Sequence, residues 1–211
     1  TTVDAGNVSS RRVFYMTNSD AVIDGLTITR GNAGATSPSD DNGGGVWMSA
    51  GRVQNCVLTN NACVDNGGNV YMTGGTVSNC LLVKGSTSYN FGGGVYLDGG
   101  SATVEYCTIR NNTSVREGGG LGIGASGGTV RNCTVTANTS IGREDGAVYM
   151  VAGLVENCRI SGNTAGNYYN RGSVSLNGGG EVRYCTVVDN QSSGSSGGIW
   201  AGGGSTVRNC I

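Results

Sequence analysis

The sequence predicts an all-β protein, a right-handed parallel β-helix (β-solenoid) with about eight coils of about 25 residues each. Three observations support this prediction. A phrase that contains cysteine recurs along the chain, a glycine-rich phrase recurs between its copies, and apolar and polar residues alternate within both phrases. Alternation with a period of two is typical of β-strands, and a repeat of this length without helical spacing indicates a solenoid.

The first phrase has the form Val-x-Asn-Cys-x followed by an aliphatic residue, with Tyr106 and Tyr184 in place of the asparagine in two copies. It occurs at Val53–Leu58, Val77–Leu82, Val104–Ile109, Val130–Val135, Val155–Ile160 and Val182–Val187, with a degenerate copy at Ile23–Ile28 and a truncated one at Val207–Ile211. The cysteines of these copies lie 24, 27, 26, 25, 27 and 25 residues apart. Because valine and cysteine are both predicted inside, the strand has to bend at the asparagine between them.

The second phrase is a glycine-rich strand. It occurs at Gly44–Met48, Gly68–Met72, Gly93–Leu97, Gly119–Ile123, Gly146–Met150, Gly172–Leu176 and Gly197–Ala201, and Phe14–Met16 supplies the first copy. One coil cannot bury its own apolar residues, so the coils are expected to stack. We predict a single domain over 1–211, with a degenerate first coil over 1–32 and regular coils over 33–211.

Composition narrows the classes of function. The chain of 211 residues has 40 glycines, no histidine and a net charge of −1. Glycine reaches positive φ without steric cost, as a fold that turns often requires. The near-zero charge predicts no nucleic-acid partner, and the absence of a long apolar run predicts no insertion into a membrane.

The cysteines of the first phrase are predicted to form a structural column inside the helix. The column contains Cys56, Cys80, Cys107, Cys133, Cys158, Cys185 and Cys210. Buried thiols pack as small apolar groups, parallel side chains suit disulfides badly, and no Cys-x-x-Cys pair predicts a metal site. We expect no cofactor. Cys63 lies outside the repeat, and we predict it in a loop as the one accessible thiol.

Asparagines form two further columns. Asn55, Asn79, Asn132, Asn157 and Asn209 lie at the predicted bend, and Asn61, Asn112, Asn138, Asn163 and Asn190 lie three residues after the last aliphatic position. A buried amide both donates and accepts hydrogen bonds where the backbone turns. We therefore predict structural ladders in both columns.

An aromatic column is predicted on the outside of the glycine-rich strands. Its members are Tyr15, Trp47, Tyr71, Tyr96, Tyr149 and Trp200, and Gly122 and Ser175 interrupt it. Two interpretations stay open: neighbouring rings pack on one another, or they form a flat platform for a glycan or another partner.

A second outward column alternates in charge, which predicts that Glu105 pairs with Arg131 and that Glu156 pairs with Arg183.

Acidic residues in the loops are weak candidates for calcium ligands. Asp40 and Asp41 precede one glycine strand, and Asp65 precedes the next. Clustered carboxylates suit calcium, but no known calcium-loop frame is present, so a solvated loop is the expected interpretation and no metal is predicted.

The glycine phrase, together with the aliphatic residue three positions before asparagine in Leu58–Asn61 and Ile109–Asn112, resembles polymorphic outer-membrane-protein repeats of autotransporter passenger domains. The opening coil Ile23–Asn32 is similar to bacterial surface β-helix repeats. The resemblance implies export, an extracellular or cell-surface location, and a structural or adhesive role without catalysis. The alternative is a polysaccharide-binding or polysaccharide-degrading (pectate-lyase-like) β-helix. A lyase would require a basic residue close to calcium-binding carboxylates, and a glycosidase would require two facing acids.

The ends of the chain suggest partners. The sequence stops inside the repeat at Val207–Ile211, and residues 1–12 do not contain a full first strand by the repeat pattern. We expect either a segment of a longer surface protein or a subunit that associates end to end, with Val207–Ile211 docking on residues 1–12. A surface polysaccharide or a cell-surface ligand is the other expected partner.

Overall fold

The computed structural model describes residues 1–34, 41–142, 146–166, 172–193 and 196–211. In these residues the regular secondary structure consists of 31 short β-strands. The strands form four sheets that run along one helix axis, and every neighbouring pair of strands is parallel. The predicted parallel β-helix is therefore confirmed.

Each of the seven complete coils contributes one strand to each sheet, and the incomplete coils at the two ends add β1 (Thr2–Asp4), β30 (Ile199–Gly202) and β31 (Thr206–Arg208). Sheet 1, the glycine-rich strands, contains β2 (Phe14–Met16), β6 (Val46–Met48), β10 (Val70–Met72), β14 (Val95–Leu97), β18 (Leu121–Ile123), β22 (Val148–Met150), β26 (Val174–Asn177) and β30 (Ile199–Gly202). Sheet 2 contains β3 (Val22–Asp24), β7 (Arg52–Gln54), β11 (Thr76–Ser78), β15 (Thr103–Glu105), β19 (Thr129–Arg131), β23 (Leu154–Glu156), β27 (Glu181–Arg183) and β31 (Thr206–Arg208).

The strands of the other two sheets come after the cysteine position of the first phrase. Sheet 3 contains β1 (Thr2–Asp4), β4 (Thr27–Thr29), β8 (Val57–Thr59), β12 (Leu81–Val83), β16 (Thr108–Arg110), β20 (Thr134–Thr136), β24 (Arg159–Ser161) and β28 (Thr186–Val188). Sheet 4 contains β5 (Asn32–Ala33), β9 (Ala62–Cys63), β13 (Ser86–Thr87), β17 (Thr113–Ser114), β21 (Thr139–Ser140), β25 (Thr164–Ala165) and β29 (Gln191–Ser192).

The register places equivalent residues of successive coils directly above one another. In sheet 1, for example, Val70 pairs with Val46 on one side and with Val95 on the other. Val77 of sheet 2 and Leu82 of sheet 3 are likewise fully buried. Burial of an aliphatic side chain contributes roughly 1.5–3 kcal/mol, so the stacked columns supply the main stabilisation.

A single residue in the left-handed region turns the chain from sheet 2 into sheet 3. This residue has φ of 54° at Asn55 and 50° at Asn79, and the same conformation recurs in each coil. Asparagine tolerates this region better than most residues. The predicted bend at the asparagine is confirmed, and we call this edge the asparagine corner: Gly25, Asn55, Asn79, Tyr106, Asn132, Asn157, Tyr184 and Asn209.

The first residues differ from the prediction. Thr2–Asp4 forms a strand that pairs with Thr27–Thr29, so residues 1–12 do contain a first strand. Arg11 then forms an isolated antiparallel bridge with Asn32 at the edge of sheet 4. The repeat pattern missed both features because neither residue set belongs to a repeated phrase.

Candidate functional site

The aromatic column forms a stack of rings along the helix axis. The ring centroids are 4.5 Å apart for Tyr15 and Trp47, 6.1 Å for Trp47 and Tyr71, and 5.9 Å for Tyr71 and Tyr96. The planes of these pairs differ by 14°, 22° and 12°. The rings therefore lie face to face because the parallel register repeats their positions coil by coil.

Phe91, which the sequence pattern did not single out, continues this stack where the column has a glycine. Gly122 occupies the aromatic position between the coils of Tyr96 and Tyr149. The Phe91 ring lies between them, with centroids 6.0 Å from Tyr96 and 5.5 Å from Tyr149. Phe91, from the loop before the strand of Tyr96, thus fills the gap in the stack.

This arrangement favours the packing interpretation of the column. A sugar stacks on the face of a ring, but the faces of Trp47, Tyr71 and Tyr96 are covered by their neighbours, and Tyr96 and Tyr149 are only 9% and 8% exposed. Burial, and then the carboxylate of Asp98, raises the pKa of Tyr96. The flat platform that the sequence suggested is absent along this part of the stack.

Trp200 lies apart from these rings, beyond Ser175 in the column. A Cβ atom at Gly202 would lie 2.4 Å from the Trp200 ring, so the indole packs directly over that glycine. Gly202, two residues later in the strand, therefore leaves room for the indole of Trp200.

The alternating charges form ion pairs between adjacent coils, as predicted. Arg131 lies 2.7 Å from Glu105, and Arg183 lies 2.8 Å from Glu156. Arg208 also contacts Glu181 at 2.9 Å. Exposed pairs contribute about 0–1 kcal/mol each, so their main effect is on register.

The cysteine column lies just beneath the asparagine corner. Six of its thiols are 2–4% exposed, and Cys210 is half-buried. The backbone N–H of Cys56 donates to Sγ of Cys80 at 3.4 Å, and the thiol of Cys56 donates to the carbonyl of Gln54 at 3.0 Å. Hydrogen bonds with the thiols of Cys133 and Cys80, and then burial, raise the pKa of Cys107. All eight cysteines are free thiols.

The prediction for Cys63 is wrong. Cys63 belongs to β9, pairs with Thr87 of the next coil, and is only 3% exposed. Burial raises the pKa of its thiol to about 12. The strands of sheet 4 directly follow the inner asparagines and are only two residues long, which is too short for alternation to predict a strand.

The inner asparagines form a buried ladder. The Nδ2 group of Asn112 donates to Oδ1 of Asn138 at 2.9 Å, and the same bond links Asn138 to Asn163 at 3.0 Å and Asn163 to Asn190 at 2.9 Å. Each amide also donates to a backbone carbonyl of the preceding coil, for example Asn138 to Ile109 at 2.9 Å. Asn61, Asn112, Asn138 and Asn163 have no exposed surface.

Asn69 bridges the one break in this ladder, at Gly85. Asn61 donates to Oδ1 of Asn69 at 2.9 Å, and Asn69 donates to Oδ1 of Asn112 at 3.1 Å. A Cβ atom at Gly85 would lie 2.5 Å from Nδ2 of Asn69, so the amide occupies the space that Gly85 leaves. This explains why the glycine strand reads Gly68-Asn69 in this coil rather than Gly-Gly.

The asparagines at the corner are not buried, which corrects the prediction for that column. Asn55, Asn79, Asn157 and Asn209 are exposed and Asn132 is half-buried, because a left-handed residue at a convex corner directs its side chain outward.

A short ladder exists only at the start of the corner. Asn79 donates to Asn55 at 2.7 Å, and Asn55 donates to Asp24 at 2.7 Å. Hydrogen bonds from Gln54 and then Asn55 lower the pKa of Asp24. The side-chain ladder of the corner therefore links three coils.

Two of the three calcium candidates, Asp41 and Asp65, lie next to each other in adjacent coils, where the backbone N–H of Asp65 donates to the carbonyl of Asp41 at 2.8 Å. Asp40 lies outside the described residues. Asp65 accepts a hydrogen bond from Asn90 at 3.1 Å, and burial, followed by the charge of Asp41, raises its pKa. In the residues that the structure describes, no group of three His, Cys, Asp or Glu side chains is placed to hold a metal ion.

Comparison with known proteins identifies the family. A family model described as a right-handed beta helix region matches residues 12–211. No curated protein and no solved structure matches the chain. No helix long and apolar enough to cross a membrane occurs in the described parts of the chain. The family model covers the chain from residue 12 onward, which includes every strand except Thr2–Asp4. It agrees with the predicted hand, and the chain therefore belongs to the right-handed beta helix family.

Proposed function

We propose that this protein is a non-catalytic, extracellular β-helical rod that serves a structural role in a cell-surface assembly. One observation supports this role most directly: the side chains of each repeated column bind or pack against the equivalent residues in the neighbouring coil. Thiols, inner amides, ring faces and opposite charges each find their partner in the neighbouring coil. Such columns hold successive coils together along the axis, as a rod requires.

The outward acids also favour a structural role over hydrolysis. Glycosidases place two carboxyl groups on either side of the scissile bond. Here Arg131 lies in the coil between those of Glu105 and Glu156, and it binds Glu105 at 2.7 Å. The family includes both enzymes and non-enzymes, so the proposal depends on this geometry and not on membership.

Two measurements test the proposal. The first is incubation with xylan, cellulose and polygalacturonate, with and without calcium, followed by assays for reducing ends and unsaturated uronates. We expect no turnover. Turnover that is lost in Glu105→Gln or Glu156→Gln would overturn the proposal and assign these acids to catalysis.

The second measurement is mechanical. In single-molecule pulling, a rod held by coil-to-coil columns should unravel in repeated steps that each release one coil. A coil of about 25 residues would lengthen the chain by roughly 80–90 Å at full extension. Unfolding in one event at low force, without repeated steps, would contradict the proposed structural role.

A further inference from the structure

The second half of the asparagine corner carries an exposed row of side chains. In four successive coils the corner residue is Tyr106, Asn132, Asn157 and Tyr184. We call this row the corner ridge. Tyr106 and Tyr184 are 61% and 55% exposed, in contrast to the stacked tyrosines of sheet 1.

The two tyrosines are unfavourable for the backbone at these positions. Tyr106 has φ of 53° and Tyr184 has φ of 55°, in the left-handed region. Asparagine is several-fold enriched there, whereas a bulky side chain is an outlier. The packing of the chain offers little in return, since the Tyr184 ring contacts the Arg183 guanidinium at 5.9 Å and is otherwise largely open to solvent. Residues held in costly conformations mark positions where a function is worth seeking.

The asparagines of the ridge also differ from those of the first half. Asn55 and Asn79 are bonded into the ladder that starts at Asp24. Among the described residues, the side-chain amides of Asn132 and Asn157 form no hydrogen bond. The ridge thus presents two open rings and two free amides on one edge of the rod.

The order of these residues is symmetric. Tyr-Asn-Asn-Tyr reads the same along the axis in both directions. The adjoining column of sheet 2, one residue earlier in each coil, reads Glu105, Arg131, Glu156, Arg183, so reversing its direction places an acid opposite each arginine. A surface that complements its own reversed copy is the requirement for a twofold interface.

We propose that the corner ridge binds the ridge of a second copy of this chain, with the two rods antiparallel. A twofold axis perpendicular to the rods places Tyr106 against Tyr184 of the second copy and Asn132 against Asn157 of the second copy. It also brings the two charged columns together on one side, with Glu105 opposite Arg183 and Arg131 opposite Glu156 across the interface. Tyrosine supplies contact area at low entropic cost, and the free amides gain partners.

The contact is short, since four coils span about 14 Å between the first and the last at a strand spacing of about 4.8 Å. Interfaces below the standard size are weak and transient. We therefore expect a dimer that dissociates on dilution and weakens in high salt. An isologous contact closes at two copies, unlike end-to-end association, which continues into a filament.

Sedimentation across a concentration series tests the proposal. Wild type should shift from monomer to dimer, and Tyr106→Asn/Tyr184→Asn should associate at least tenfold more weakly. The double variant restores the residue that other coils carry at this position, so its thermal stability should be equal or higher. Tyr89→Asn is the control, because Tyr89 is 56% exposed but lies on a loop away from the ridge. It should dimerise like wild type.

A charge-inverted chain separates this dimer from other interactions. The variant Glu105→Arg/Arg131→Glu/Glu156→Arg/Arg183→Glu keeps opposite charges in the pairs 105–131 and 156–183 and within its own dimer, and it gives up the longer contact of 3.8 Å between Arg183 and Glu181. Paired with wild type it opposes like charges at all four positions. In a fluorescence mixing experiment we expect each chain to dimerise with itself and mixed dimers to fall well below the statistical fraction.

Three results would overturn the proposal: a monomer at all concentrations, unchanged association in the Tyr106→Asn/Tyr184→Asn variant, or statistical mixing of the two charge types. Cellohexaose binding by a monomer, lost in the same double variant, would assign the ridge to a neutral glycan instead.

Discussion

The break in the aromatic stack offers the sharpest test of how the columns stabilise the rod. Phe91 fills the space above Gly122, between Tyr96 and Tyr149. We predict that Phe91→Ala lowers the free energy of unfolding by about 2–3 kcal/mol. Removal of a fully buried phenylalanine costs about 3–5 kcal/mol, and Phe91 is half-buried. Two stacked ring pairs contribute about 0.5–1.5 kcal/mol each beyond the buried area.

Gly122→Tyr provides the second arm of a double-mutant cycle. Alone it should destabilise by about 1–3 kcal/mol, because a Cβ at this position would lie 2.5 Å from the Tyr96 ring, and Phe91 stacks on that ring and blocks its displacement. In the Phe91→Ala background the Tyr96 ring has room to shift and the column regains a ring. We expect the double variant to be more stable than the sum of the single effects by about 1–2 kcal/mol.

Urea denaturation, followed by far-UV circular dichroism, gives the free energies, and the near-UV signal reports the stacked rings. Tyr15→Ala is the matched control, since Tyr15 stacks on one neighbour only and is 62% exposed. It should cost about 1 kcal/mol or less. Additivity of Phe91→Ala and Gly122→Tyr within about 0.5 kcal/mol would refute the compensation.

Three further outcomes follow from burial and charge. Ile109→Asp should abolish folding, because it places a charge at a position with 0% exposure. Thr134→Ser should change the free energy of unfolding by under about 0.5 kcal/mol. Equal effects of the two variants would show that the inner and outer faces of the strands are misassigned. Under native conditions a thiol reagent should label the half-buried Cys210 first and Cys107 only on unfolding, as mass spectrometry of the labelled peptides would reveal. Asp65→Asn should stabilise the protein at pH 7, because the raised pKa of Asp65 means that its ionised form disfavours the folded state. The gain in stability should vanish below pH 3.8, the ordinary pKa of an aspartate, where the carboxyl is protonated in the folded and the unfolded chain. Calcium that raises the melting temperature of wild type but not of Asp65→Asn would show instead that Asp65 is a ligand.

Sequence periodicity was sufficient to predict the parts of the fold that repeat. The interior position of Val77 and the pairing of Glu105 with Arg131 follow from strand alternation and from a parallel register. Both depend only on which residues are equivalent between coils. The prediction needed no knowledge of how the four sheets are arranged around the axis.

The failed predictions concern features that periodicity does not contain. Cys63 lies in a two-residue strand, which is too short to show alternation, so its burial was not visible. The corner asparagines such as Asn55 were expected to form a buried ladder because the backbone turns there, but the left-handed φ of 54° directs the Asn55 side chain outward. Phe91 comes from a loop and enters a column in which it has no equivalent.

The departures from the repeat divide into two kinds, and the division bears on where function lies. Gly85 and Gly122 each lack the side chain of their column, and each loss is made good within the fold, by Asn69 and Phe91. In each case the second residue restores the packing or the hydrogen bonds that the glycine removes, so the stability of the rod explains both changes. Tyr106 differs in kind, because it replaces a residue suited to the left-handed corner and leaves its ring 61% exposed. The proposed dimer supplies from outside the molecule the contact that Tyr106 lacks within it. A partner therefore fits the corner ridge better than the aromatic stack, whose ring faces are already covered.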